Sequence, residues 1–458
     1  MRGSRWLKAV LVVGIGVRLV LWCCQSDPAG DDGMRYLTET TNLVEHGVFS
    51  TDRSVEAGCM PQPDAHDLPL FPLSMAAFYS VTHSVRFTQY ATGILNILLM
   101  LGAVYLLCSI LRAKPFCVKE PGLSVGSAVL LFMPDSVIYS LCHMPDMMAV
   151  FFVMFGLRSY FRCCYQKSLK NVILFACGFG AAILSKPITI PLFVALALAL
   201  FVVLGMAWWK RVACVFVAFA LVGLMLCPWL IRNKMAFGEA GLTTISGMNL
   251  YSCNWAWLAN TFPENEKRQC REEMKAFEES VSGLDKMTRS KKLGDFAKHK
   301  IMTHLPSYMA FTLKKHPRLY AGTGTVALLR YLGLDAYCYA LDDKWGSGNH
   351  APDEPRVPYS ACDVLMACGV QIFAWVCLAA GYLVVAAGCW RIFKCRCHAS
   401  GATGVDRLLL WCPILSLLLL AAVIGPVTAT RYRFIMIPFF SIIAAMSVAP
   451  RQDRINEK

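Results

Sequence analysis

The stretch WLKAVLVVGIGVRLVLWCC-QSDPAG-DDGMRY, residues 6–36, decides the fold. Its first part is an apolar run of about 20 residues, the length a helix needs to cross a bilayer. Arg2, Arg5 and Lys8 precede or open it, and it ends at Cys23-Cys24 without a clear small-residue cleavage site, so it reads as a retained signal-anchor helix. Immediately past that span stand two adjacent acids, Asp31 and Asp32, then Arg35 and Tyr36 one helical turn on. Carboxylates and a guanidinium at the end of a span read as the edge of an active site at the membrane surface.

The same pattern of apolar runs continues through the chain. Of 458 residues, 56% are hydrophobic and 16% charged, and the mean hydropathy is +0.49. Soluble domains carry about a quarter charged residues. The fold class is therefore an all-α polytopic membrane protein. About ten spans are predicted: 6–24, 88–111, 122–141, 146–161, 171–185, 187–207, 212–230, 363–389, 408–426 and 432–449. Ser185-Lys186-Pro187 splits the run 171–207, because the residue before a proline avoids the helical region.

Charge sets the orientation. The net charge of +14 would raise nucleic acid as a partner in a soluble protein. Here the excess lies in short loops (Arg112, Lys114, Lys119; Arg158, Arg162, Lys167, Lys170; Lys210, Arg211; Arg391, Lys394, Arg396, Arg407) and at both termini. With the N- and C-termini in the cytoplasm, every inner loop is basic, as the positive-inside rule requires. No nucleic-acid partner is implied. Two large extracytoplasmic segments follow, 25–87 and 231–362, within a single membrane domain over 1–458 whose C-terminal spans occupy 363–458. The first holds the acid motif, a short helix over 33–46 and a proline-rich stretch at 61–72; the second holds polar helices over 264–300 and a surface-lying stretch over 305–334. Most of the 21 cysteines lie inside spans, where they act as small apolar residues. Cys59, Cys253, Cys270 and Cys338 lie outside them and are open to pairing; Cys395 and Cys397 form half of a metal motif without a second half.

No Walker loop, HExxH or complete GxGxxG is present, and the longest inner loop is about twenty residues, so no cytoplasmic nucleotide domain exists. Polar groups gather at the outer boundary instead: Asp31, Asp32 and Arg35; His143 and Asp146; Lys186; Arg232 and Asn233; Arg431 and Arg433. Glycosyl transfer from a polyprenyl-phosphate sugar would employ all of them. A carboxylate takes the acceptor proton, arginines hold the phosphate leaving group, and an apolar groove takes the lipid tail.

Several landmarks carry a family resemblance: Asp32 four residues before Tyr36 with Arg35 between; residues 42–49; Pro69-Leu70-Phe71-Pro72; Pro228-Trp229 through Arg232-Asn233; His316-Pro317-Arg318; and Arg431-Tyr432-Arg433-Phe434 before Pro438. In that order they resemble the GT-C superfamily of membrane glycosyltransferases, in the branch of protein O-mannosyltransferases and aminoarabinose transferases of lipid A. The resemblance implies an inverting transferase of the cell (inner) membrane, acting on its outer face with a lipid-linked donor. It implies Asp32 as the general base, with Asp31 beside it, and Arg35, Tyr36, His66, Asp146, Lys186, Arg431 and Arg433 as substrate contacts. A divalent metal ion on Asp32 and Asp146 is the candidate cofactor. The acceptor class (glycolipid, polysaccharide or protein) is open, as is the sugar. Gly33 stands where many relatives have a second acid, and Leu68 where they have a base. The alternative is a multi-span transporter or flippase of a lipid-linked or anionic substrate, for which Asp135, the acid buried in a span, is the pointer.

Overall fold

The computed structural model describes residues 5–26, 30–53, 59–334, 336–338, 341, 358–398 and 404–448, with the side chains of Asp31 and of residues 395–398 outside the description. The expectations for Asp31 as a second acid, and for Cys395 and Cys397, therefore lie outside the described residues. Every regular element among the described residues is helical. In chain order they are α1 (Arg5–Cys23), α2 (Gly30–His46), α3 (Leu70–Thr82), α4 (Val85–Arg112), α5 (Gly122–Phe132), α6 (Pro134–Tyr139), α7 (Asp146–Gln166), α8 (Leu169–Ser185), α9 (Ile190–Val203), α10 (Trp208–Phe237), α11 (Ile245–Asn249), α12 (Ala256–Ala259), α13 (Glu264–Ser280), α14 (Lys286–Thr303), α15 (Leu305–Ala321), α16 (Thr325–Tyr331), α17 (Ala361–His398), α18 (Gly404–Ile424), α19 (Thr430–Phe434) and α20 (Ile437–Met446).

Six of these, α1, α4, α7, α10, α17 and α18, are long and apolar enough to cross a membrane, and five shorter apolar helices accompany them. Their outward faces are apolar: Val12, Phe216 and Leu418 are 72%, 70% and 63% exposed. Only a hydrocarbon environment accommodates such faces on helices of this length. The chain is a polytopic helical membrane protein.

Two predicted spans are broken, and both breaks shape the site. The span 122–141 is two helices, because Met133 is extended (φ −58°, ψ 137°) ahead of Pro134, the first residue of α6. The break frees carbonyls at the end of α5. Fully buried Arg18 of α1 takes them: Nη2 donates to Leu131 O (2.9 Å) and Ser136 O (3.0 Å), and Nε donates to Ser140 Oγ (2.8 Å). The span 432–449 likewise begins as the short α19, then turns through Ile435-Met436 into α20, with Pro438 in its first turn. An apolar helix in the first predicted outer segment, α3, packs against α2 and α4. Its 13 residues reach about 20 Å, short of a bilayer core.

The core lies where α20 is gripped between α5 and α17. Small residues permit that approach: a methyl on Gly126 would lie 2.8 Å from Ser441 O, and Gly388 has no room for one against Ile443 O. The second predicted outer segment has a core of its own, including Tyr251, Trp255, Leu293 and Ile301. Cys59, Cys253, Cys270 and Cys338 are all free thiols, so the pairing left open for them is not formed.

Candidate active site

The face of α2 supplies the first half of the site. Asp32, Arg35, Tyr36 and Glu39 recur at intervals of three and four, which places them on one side of a helix. Arg35 bridges two carboxylates. Its Nη1 donates to Asp32 Oδ1 (2.7 Å), and its Nε and Nη2 donate to Asp67 Oδ2 (2.5 Å) and Oδ1 (3.3 Å). Tyr36 packs edge-on against Phe71 at 5.3 Å, under the Arg35 guanidinium.

The second half comes from the far end of the chain. Arg431 of α19 donates to Asp32 Oδ2, so both oxygens of Asp32 carry a guanidinium. Next to Arg431 is Tyr432, whose ring lies 5.2 Å from Lys186 Nζ. Lys186 pairs with Asp146 in the first turn of α7, where an acid also complements the helix dipole. One belt of charge therefore runs Asp146, Lys186, Tyr432, Arg431, Asp32, Arg35, Asp67, with three acids matched by three cations.

Asp67 belongs to the loop 64–67, fastened on every side. Asp64 Oδ2 accepts from Thr51 Oγ1 (2.6 Å) and Lys286 Nζ (2.9 Å), and Oδ1 accepts from the Ala65 amide (2.7 Å). Arg232, at the end of α10, donates to Asp64 O (2.7 Å) and Phe49 O (3.0 Å). The Thr244 amide donates to Ala65 O (2.8 Å). The two predicted outer segments thus meet on one face of the molecule, around this loop. His66, in the middle of it, is half-buried and lies within the fields of Asp67, Arg35, Asp64 and Asp32.

Electrostatics separates the acids. Burial raises the Asp32 carboxyl, but the Arg431 and Arg35 charges more than offset this and hold it below the ordinary carboxylate range. Burial likewise raises Asp64, and its bonds to Thr51 and Lys286 bring it below normal. Glu39 goes the other way. It is fully buried, and burial followed by the Asp67 charge pushes it well up. Burial therefore favours the protonated, neutral form of Glu39. Burial lowers His66 below its usual value, which favours the neutral imidazole.

Of the residues expected at the site, Asp32, Arg35, Tyr36, His66, Asp146, Lys186 and Arg431 come together. Arg433 does not join them. It is fully buried on the opposite side of α19, forks onto Asp135, and donates to Leu319 O (2.9 Å), Tyr320 O (2.7 Å) and Gly322 O (2.6 Å). With these donors taken up inside the protein, it presents none to a phosphate at the site. Asp135 is correspondingly the partner of Arg433, not an open acid on a pathway. Asp64, Asp67, Lys286 and Glu39 were missed in the sequence. Glu39 alone had a signal there, four residues after Arg35 and seven after Asp32.

The residues present do not fit a divalent cation. Asp32 and Asp146 are spent on guanidinium and ammonium partners, and among the described residues no three His, Cys, Asp or Glu side chains gather as a ligand set.

No protein-family model matches the chain, and no curated protein sequence matches it. Among solved structures, it is similar to the archaeal oligosaccharyltransferase AglB from Archaeoglobus fulgidus, in complex with an inhibitory peptide and a dolichol-phosphate, at 10% identity and a TM-score of 0.46 over 97% of this chain and 50% of that one. It is similar to ArnT from Cupriavidus metallidurans bound to undecaprenyl phosphate, at 13% identity and a TM-score of 0.41 over 96% of this chain and 77% of that one. It is also similar to the arabinosyltransferase EmbB from Mycobacterium smegmatis, at 13% identity and a TM-score of 0.37 over 95% of this chain and 41% of that one. The chain spans about half the length of the oligosaccharyltransferase.

Proposed function

We propose that the protein is an inverting GT-C-type glycosyltransferase that uses a polyprenyl-phosphate sugar and acts on the extracytoplasmic face of the cell membrane. One observation carries the reading: a partly exposed carboxylate, Asp32, sits between two guanidiniums on the face where both large non-membrane segments converge. In the reaction the acceptor hydroxyl attacks the anomeric carbon. Its proton passes to Asp32, the bond from that carbon to the phosphate oxygen breaks, and the electron pair leaves with the lipid phosphate. Arg431, with Lys186 beside it, faces the developing phosphate charge. Arg35 holds Asp32 in place from the other side and fixes it to the loop 64–67. Neutral His66 offers the sugar a hydrogen bond without adding charge. The basic loops face the cytoplasm, which puts α2 and the loop 64–67 outside.

The transporter alternative loses its pointer, because Asp135 is neutralised by a buried fork from Arg433. The test is sugar transfer in membranes given radiolabelled polyprenyl-phosphate sugars, with wild type compared to Asp32→Asn at equal abundance. Wild type should label a lipid, polymer or protein fraction, and the variant should lose about 10²–10⁴-fold in rate. Equal labelling by both would remove Asp32 as the base. No labelling across several donors would remove the transferase reading.

A further inference from the structure

The belt holds four ion pairs, and they differ in how open they are. Asp67 and Asp146 show 8% and 5% of their side chains to solvent, against 30% for Asp32 and 29% for its partner Arg431. Among the three cations of the belt Arg431 is the most open, at 29% against 20% for Arg35 and 13% for Lys186. The backbone around Arg431 is fastened on both sides. Thr430 Oγ1 and Tyr139 Oη lie at 2.7 Å, and Arg433 anchors α19 to α6 and to the end of α15. A change of partner at Arg431 is then a side-chain rotation, not a helix movement. Asp32 would not be stranded by it, because Arg35 keeps the other carboxylate oxygen at 2.7 Å.

We propose that the donor phosphate and the Asp32 carboxylate compete for the Arg431 guanidinium, so that donor binding frees Asp32 Oδ2 and turns an ion-pair partner into a base. This inference rests on the donor class proposed above. Its physical basis is exchange of like for like: the donor's phosphodiester is a singly charged anion that accepts the same planar fork as a carboxylate. The resting pair keeps Asp32 in its least basic state, with both oxygens spent. Loss of one guanidinium returns basicity to the oxygen that faces the incoming phosphate and the sugar attached to it. The base is thereby armed only when a leaving group is in place, which disfavours idle proton uptake in the empty enzyme.

The exchange predicts an effect opposite to that of an ordinary contact residue. Removing the Asp32 charge should improve binding of the lipid phosphate, because Arg431 no longer has to be released. The measurement is equilibrium binding of a long-chain polyprenyl phosphate to the full chain in lipid nanodiscs, for wild type, Asp32→Asn, Arg431→Gln and the double variant. The expected result is about 1.5- to 5-fold tighter binding to Asp32→Asn, the range for releasing one partly exposed ion pair. That gain should be absent when Arg431→Gln is added. Asp32→Ser replaces Asp32→Asn if the latter does not yield folded protein. Binding of wild type with no gain, or a loss, in the Asp32 variant overturns the exchange and leaves the transferase reading standing. Absence of binding to wild type and variants alike overturns the donor class, and the exchange with it.

Discussion

Arg431 and Arg433, two residues apart on α19, reach in opposite directions: Arg431 to Asp32 on α2, Arg433 to Asp135 on α6. The first pair is partly open at the site and the second is sealed in the bundle. Substitution should separate them. Arg431→Lys keeps the charge and loses the fork, so the protein should remain folded while kcat/KM for the donor falls by about 10- to 100-fold. Arg433→Lys leaves backbone carbonyls and part of a buried carboxylate unpaired, a change of about 3–5 kcal/mol for a broken buried pair. It should be read as loss of folded protein in detergent. Replacing both Arg433 and Asp135 by apolar residues should recover part of that loss, but not all, since Leu319, Tyr320 and Gly322 keep unpaired carbonyls.

Glu39 gives a test by pH. Its carboxyl is raised by burial and by the Asp67 charge, so the folded state keeps a proton that the unfolded chain releases at about pH 4.3. Stability should therefore fall as pH rises from there towards the folded-state value. Glu39→Gln keeps the donor and removes the ionisation. Thermal unfolding should show the variant more stable than wild type at pH 7, with the difference vanishing below about pH 4. A variant less stable than wild type at pH 7 would count against a neutral Glu39.

Asp64 has the opposite sign. Its folded carboxyl lies below the usual range, so its contribution is present above about pH 4 and disappears as pH falls through the folded value. Asp64→Ala should cost about 1–3 kcal/mol at pH 7 and should loosen α14 and Thr244 from the loop 64–67. Limited proteolysis should detect cleavage between α10 and α14 in the variant at protease levels that leave wild type intact.

His66 should take up a proton less readily in the folded state than in the unfolded chain. Burial lowers its value below about 6.5, so protonation favours the unfolded chain and stability declines as pH drops below that point. His66→Gln should flatten this limb of the stability profile. Because the neutral ring donates or accepts one hydrogen bond, its loss should raise the donor KM more than it lowers kcat.

Much of the bundle was legible because an unbroken apolar run of about twenty residues matches the thickness of a bilayer and little else in a folded protein. The breaks at Pro134 and at residues 435–436 were not, since each needs a distant partner to be tolerable. Arg18 takes the carbonyls in the first case, and Arg433 ties down α19 in the second. The same limit applied at the site. Asp32, Arg35, Asp146, Lys186 and Arg431 are visible as ionisable residues next to spans. Asp67 lies in a polar loop 32 residues from Arg35, and nothing local to it marks the contact. Arg433 shows the converse: its spacing from Arg431 is plain, but the side of α19 it faces depends on a helix end almost 300 residues earlier.

The span between Arg18 and its partners has a consequence for biosynthesis. Arg18 leaves the ribosome early, and the last acceptor it uses, Ser140, follows 122 residues later. Until then only Gly14 O of α1 itself takes one of its donors (Nη1, 2.9 Å), and an arginine in a span costs up to about 2.5–3.5 kcal/mol to insert. The first helix therefore completes its stay in the bilayer only when α5 and α6 arrive to accept its donors, and a nascent chain halted before residue 140 should be the form most readily extracted from the membrane.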